Sequence, residues 1–233
     1  MTIGDFKTLV LLPGLDGTGL LFRPFLEALG GRVGTQVVAY PVDQPLGYAE
    51  LEVLVRAALP KKGPYVVLGE SFSGPIAIRI AADPPTGMVG VILCVTFAKN
   101  PHPLLAWLRP WATELPVKGL PTWLRAPFMW GEWSAHREPL EVQHATAAVD
   151  EAVFRHRIAA VLAVDETNAL SHIRVPMLLM RASDDHVVPR AASEHILDVV
   201  PSAQVVELEG PHLLLLSRPT DCARTVIRFL EAL

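Results

Sequence analysis

Short runs of Val, Ile and Leu alternate along the chain with longer amphipathic segments, and this alternation leaves few folds open. Aliphatic runs that lack a polar face are buried on both sides, as strands of a parallel sheet are, and the amphipathic stretches supply helices to cover them. Strands are read at residues Thr8 to Leu12, Gln36 to Tyr40, Tyr65 to Gly69, Val89 to Val95, Met177 to Arg181 and Gln204 to Leu208. Helices are read at Phe22 to Leu29, Ala49 to Leu59, Gly74 to Ala82, Arg190 to Val199 and Pro219 to Ala232. The expected class is α/β, a mostly parallel sheet of about six strands with helices on both faces. With 233 residues, 51% of them hydrophobic, the chain has core material for one domain carrying at most an insertion.

The rhythm breaks once, between Lys99 and Asn168. All five tryptophans, Trp107, Trp111, Trp123, Trp130 and Trp133, fall there, together with Pro101, Pro103, Pro110, Pro116, Pro121, Pro127 and Pro139. Trp107 and Trp111 sit four apart, as on one helical face. The expected organisation is a core domain of residues 1–98 and 169–233, with a small helical cap inserted at 99–168. An insertion at this point follows one strand and precedes another, so it should project from the carboxyl edge of the sheet, where open α/β folds bind ligands.

Charge and cysteine content narrow the partners. The net charge is −4 and the basic residues are scattered, which gives no electrostatic footprint for nucleic acid or an anionic membrane. A small neutral molecule is the expected partner; nothing in the sequence fixes an oligomeric state. Cys94 and Cys222 are too few for a disulfide framework and form no zinc-type pair, so the cytoplasm is the default compartment. The opening MTIGDFK lacks the basic and apolar regions of a signal peptide. Mean hydropathy is high at +0.34. The longest charge-free apolar stretch, from Met88 to Ala98, nevertheless falls short of the roughly 18 residues of a membrane helix.

One serine stands out. In Val66-Val67-Leu68-Gly69-Glu70-Ser71-Phe72-Ser73-Gly74-Pro75-Ile76-Ala77 it lies directly between an aliphatic strand and a helix start built of small residues. So sharp a reversal needs little bulk beside the serine, and Gly69, Ser73 and Gly74 supply the room. The Ser71 hydroxyl would then stand above the sheet edge with helix amides aimed at it, a setting that favours developing negative charge. The pattern G-x-S-x-G is met except at its last position, where Ser73 stands. A plain glycine-containing turn with an ordinary serine is the competing reading.

A serine nucleophile needs a base, and the base needs an orienting acid. Of the eight histidines, His102, His136, His144 and His156 lie in or beside the Trp-rich segment and His195 lies on a helix. His172 precedes a strand, at the wrong edge, and His186 is too close to the candidate acids. His212 alone sits in a Gly-Pro loop after the last strand; a surface histidine at a helix start is its competing reading. Asp184 and Asp185 both follow the strand ending at Arg181, and the residues leave both open as the acid. A metal site of Asp184, Asp185 and His186 is disfavoured, since consecutive side chains diverge.

Acyl chemistry further requires two amides for the carbonyl oxygen. Phe72 should supply one. The loop Pro13-Gly14-Leu15-Asp16-Gly17-Thr18-Gly19 should supply the other, with Leu15 as the best candidate. The same loop is a poor phosphate cradle, lacking both G-x-G-x-x-G and a Gly-Lys-Ser/Thr ending, and Asp16 would repel phosphate.

PGLDG at 13–17, GESFSG at 69–74, DHVVP at 185–189 and GPH at 210–212 together resemble the α/β-hydrolase superfamily across almost the whole chain. The first hundred residues are also similar, more loosely, to the branch of hydrolases and acyltransferases related to phytyl ester synthases. The resemblance implies the chain order Ser, Asp, His, and an acid four residues before the proline, which selects Asp185 ahead of Asp184. Asp184 is then left to bind loop amides as a turn residue. Relatives often begin with an antiparallel hairpin, which this chain has little length for before Thr8, and often carry histidine at the Pro13 position.

What the resemblance implies is a serine carboxylesterase for apolar short- to medium-chain esters, needing no metal and no cofactor. Ser71, Asp185 and His212 would be its catalytic residues, and the Leu15 and Phe72 amides its oxyanion hole. Superfamily members that open haloalkanes or epoxides use aspartate at the elbow, so Ser71 argues against both. Trp107, Trp111, Phe128, Met129 and Trp130, with Leu104, Leu105 and Leu120, would line an apolar pocket or else form the small core of the insertion. An acyltransferase or thioesterase could use the same residues, and a ligand-binding protein could keep the fold without catalysis.

Overall fold

A computed structural model describes residues 7–111, 114, 129–130 and 140–233. Six strands form one sheet: β1 (Thr8–Leu12), β2 (Gly34–Val37), β3 (Tyr65–Glu70), β4 (Met88–Cys94), β5 (Met177–Asp184) and β6 (Gln204–Pro211). Their order is β2-β1-β3-β4-β5-β6, and every neighbouring pair is parallel.

Strict alternation along the strands divides the core. Val10, Leu12, Val67, Val91, Leu93, Met177 and Leu179 point to one face. Leu9, Leu11, Val66, Leu68, Ile92, Cys94, Leu178 and Met180 point to the other. Helices α1 (Arg23–Leu29), α2 (Tyr48–Ala58) and α3 (Gly74–Ala82) follow the first three strands. The segment after β4 carries a 3-10 helix at Pro103–Trp111, then α4 (Leu140–Ala148), α5 (Glu151–Ala163) and α6 (Thr167–Ser171). After β5 and β6 come α7 (Arg190–Val199), α8 (Leu214–Ser217) and α9 (Pro219–Ala232). α2, α3 and α7 cover the first face through Leu51, Val55, Ile76, Ile80 and Ile196. α1 and α9 cover the second through Phe25, Leu29, Val226, Phe229 and Leu230. At roughly 25 cal/mol per Å² this two-sided burial is the main stabilising term of the fold.

The second strand differs from its sequence reading, pairing at Gly34–Val37 rather than Gln36 to Tyr40. The Val38 N–H still reaches the Leu11 carbonyl, but the Tyr40 N–H turns away to the Gly17 carbonyl at 2.7 Å. The chain leaves the sheet there to brace the glycine loop after β1.

The ends of the segment between β4 and β5 are clipped together. Lys99 and Asp165 form an antiparallel bridge, and the Asn100 N–H meets the Val164 carbonyl at 2.9 Å. Trp107 and Trp111 do not share the face of an α-helix; they lie in the 3-10 turn and are 67% and 63% exposed. Trp130, by contrast, is buried with Val142 and Leu213, and Met129 packs beside it. Phe128 and Leu120 lie outside the described residues.

Candidate active site

Because all six strands run the same way, the loops after β1, β3, β5 and β6 open on one rim. Fully buried β3 ends at Glu70, and the chain enters a 3-10 turn at Ser71–Ser73 before α3. Ser71 has φ +48°, a left-handed conformation that strains a non-glycine residue by about 1–3 kcal/mol and persists only where neighbours impose it. Thr96, just past β4, imposes it by donating its hydroxyl to the Ser71 carbonyl. The approach is so close that a Cβ on Gly74 would lie 1.9 Å from the Thr96 hydroxyl oxygen, so glycine is obligatory there.

Ser73, the departure from the glycine pattern, is more than a small residue. Fully buried, it donates to the Pro13 carbonyl. Its proton thus used, it accepts from the Tyr40 hydroxyl at 2.6 Å. One side chain therefore ties the serine turn to the loop after β1.

Ser71, His212 and Asp185 come together at that rim. Ser71 Oγ lies 2.9 Å from His212 Nε2, and His212 Nδ1 lies 3.0 and 2.9 Å from the two Asp185 oxygens. The carboxylate accepts from Nδ1–H, which leaves the Nε2 lone pair to receive the Ser71 proton. The ring is 4% exposed. Asp185 Oδ1 also accepts the N–H groups of Val187 and Val188, at 2.9 and 2.8 Å. This corrects the sequence reading, in which Asp184 held the loop amides. Asp184 instead meets His186 Nε2 at 2.7 Å, out towards solvent, while its neighbour both orders the loop and faces His212. Among the described residues, no group of three His, Cys, Asp or Glu side chains is placed to hold a metal.

In the loop after β1 every carbonyl from Pro13 to Gly17 has a donor. Ser73 serves Pro13, the Gly17 N–H serves Gly14 at 3.0 Å, and the Tyr40 N–H serves Gly17. Arg157 serves both Leu15 and Asp16, at 2.8 Å each. Asp16 Oδ1 takes the Thr18 N–H at 2.9 Å. Among the described residues the Leu15 N–H has no partner, and the preceding Gly14 lies against Ser71, where an added Cβ would come 3.9 Å from the serine Cβ. The Phe72 N–H, in the first turn after β3, has no carbonyl behind it to bond within the helix.

Buried Glu70 adjoins this loop. Desolvation pushes its carboxyl up to about 8; the nearby Asp16 charge adds to the shift and the Gly14 N–H opposes it. Near neutral pH the group carries a proton and adds no negative charge of its own beside Ser71. Three contributors escaped sequence reasoning: Thr96, Arg157, and His102, whose Nε2 donates to the Val187 carbonyl at 2.7 Å. Thr96 had a usable signal, its position directly after a strand of the same rim; the other two depend on long-range packing.

A family model described as the alpha/beta hydrolase family matches residues 9–225. The chain is 28% identical to the "Putative carbamate hydrolase RutD" of Rhizobium rhizogenes strain K84, covering 98% of this chain and 94% of that protein. The fold is similar to a lipase-esterase related protein from Clostridium acetobutylicum, with TM-score 0.78, 15% identity, and 97% and 95% of the two chains covered. It is also similar to the enol-lactonase from Burkholderia xenovorans LB400, with TM-score 0.77, 19% identity, and 99% and 94% covered.

Proposed function

Since the chain belongs to the alpha/beta hydrolase family, we propose that it is a serine carboxylesterase cleaving apolar short- to medium-chain esters through an acyl-enzyme. The observation that carries this reading is the unbroken hydrogen-bonded line from Ser71 Oγ through His212 to Asp185. Ser71 Oγ attacks the ester carbonyl carbon as its proton passes to His212 Nε2. Asp185 holds the ring and stabilises the imidazolium. The carbonyl oxygen, now negative, rests on the Leu15 and Phe72 amides, each worth about 10²–10³ in rate. Collapse breaks the bond to the alkoxide oxygen, which leaves as alcohol with the proton from Nε2. Water then gives a proton to Nε2 and attacks the acyl carbon; the acid departs and Ser71 Oγ recovers its proton.

The segment 99–168 acts as a helical cap that selects the ester. Trp130 and Met129, packed against Leu213 next to His212, are its best candidates for an apolar wall. A carbamate is a second reading, favoured by the name of the Rhizobium relative; its carbonyl and leaving group suit the same relay. Hydrolysis of p-nitrophenyl esters from acetate to dodecanoate, and of an N-methylcarbamate, by wild type and Ser71→Ala tests both readings. Hydrolysis that peaks among the shorter esters and vanishes in Ser71→Ala is the expected result. Undiminished turnover by Ser71→Ala would overturn it. Added alcohol, captured as a new ester, would reveal an acyltransferase.

A further inference from the structure

Arg157 is the largest fully buried side chain in the described structure. It belongs to α5, within the segment between β4 and β5, yet its guanidinium ends inside the loop after β1. Nη1 donates to the Leu15 and Asp16 carbonyls, and Nη2 to the Pro41 carbonyl at 2.9 Å. The cation also lies over the rings of Tyr40 and Phe72, 5.7 and 5.9 Å from their centroids. Burial lowers the guanidinium pKa from its ordinary value, and the Asp16 carboxylate opposes that shift.

Removing a cation from water costs several kcal/mol, and an apolar side chain of similar volume would serve packing alone better. Where the charge ends is therefore informative. It touches Leu15 and Phe72, the two residues whose amides the proposed reaction needs. Gly17, at φ +71°, leaves the necessary space, since a Cβ there would lie 2.6 Å from Nη1.

Resting on the serine-hydrolase reading, we propose that Arg157 is the positioning residue of the oxyanion hole. Its guanidinium pins the Asp16 carbonyl, the Gly17 N–H of that same peptide unit pins the Gly14 carbonyl, and the Leu15 N–H of the Gly14–Leu15 unit is thereby held towards the reacting carbonyl, with the Leu15 carbonyl fixed from the other side. Without it two consecutive carbonyls lose their donors and the peptide units flanking Asp16 are free to rotate; one of these carries the Gly17 N–H that bonds the Gly14 carbonyl, the oxygen of the peptide unit to which the Leu15 N–H belongs.

The test compares Arg157→Met and Arg157→Lys with wild type, measuring kcat and KM on one p-nitrophenyl ester and the Ki of a matching trifluoromethyl ketone, whose hemiketal oxygen mimics the oxyanion. In Arg157→Met, kcat should fall about 100-fold with KM within about two-fold, and the ketone should weaken in proportion; Arg157→Lys should recover about ten-fold. A merely structural role lowers the active fraction and leaves Ki unchanged. Wild-type kcat in Arg157→Met, or a loss of kcat with unchanged Ki, overturns the proposal. If Arg157→Met does not fold, the same paired readout on Arg157→Lys decides. Ser71→Ala separates the two readings: its retained turnover removes the serine mechanism itself, whereas an inert Ser71→Ala beside unimpaired Arg157 variants removes only the role of Arg157.

Discussion

The loop from Pro13 to Gly17 and the 3-10 helix at Pro103–Trp111 are both rich in residues that favour irregular backbone, and they are built in opposite ways. In the loop every carbonyl is bonded, by donors as distant in sequence as Ser73 and Arg157. In the 3-10 helix Leu104, Trp107 and Trp111 stand among the most exposed large apolar side chains of the described structure. The loop backbone is thus held from several directions, whereas these apolar side chains stand largely open to solvent.

Substitutions can break this contrast at several points. The largest effect belongs to the acid loop. Asp185→Asn should lower kcat by about 10³–10⁴-fold, while Asp184→Asn stays within about two-fold, as read by steady-state kinetics. Equal losses would show that the two carboxylates share the role. Next comes the elbow. Thr96→Val keeps the shape but leaves the Ser71 carbonyl without its donor, for a loss of about 1–3 kcal/mol in denaturant titration and a drop in kcat.

Glu70 gives a smaller effect, visible in pH. Its carboxyl titrates at about 4.5 when unfolded and about 8 in the folded chain. Between those values the folded state keeps a proton that the unfolded state has released, so stability falls as pH rises through the window. In Glu70→Gln that slope disappears; thermal melts of the two proteins should diverge across the window and run parallel above it. A wild-type slope equal to the variant's would mean Glu70 is ionised throughout. Smallest of all, Trp107→Ala and Trp111→Ala should each change stability by less than about 0.5 kcal/mol, since neither side chain is enclosed. A larger loss in the melt would show that these rings are packed after all.

Much of the frame was legible in sequence because it rests on local pattern. Largely aliphatic runs announce β1, β3, β4 and β5, the short Val205-Val206 pair announces β6 despite Glu207 beside it, and the small residues around Ser71 announce the elbow. Where a single local run met long-range demands, the reading slipped. β2 ends early because Tyr40 is drawn to Gly17, and Asp185 takes the loop amides because one carboxylate can serve them and His212 together. In sequence Ser73 signals only its small size, since its two hydroxyl partners lie 33 and 60 residues away. Arg157 gives no signal at all: its contacts with Leu15 and Asp16 span 142 and 141 residues, and an arginine on a helix ordinarily faces water.

The most direct test is covalent. A fluorophosphonate ester reacts only with a serine activated by a base, and peptide mapping by mass spectrometry locates the adduct. Labelling of Ser71 alone, matched by loss of ester hydrolysis and abolished in His212→Ala, is the expected result. An adduct on another residue, or full hydrolysis by protein labelled at Ser71, would contradict it.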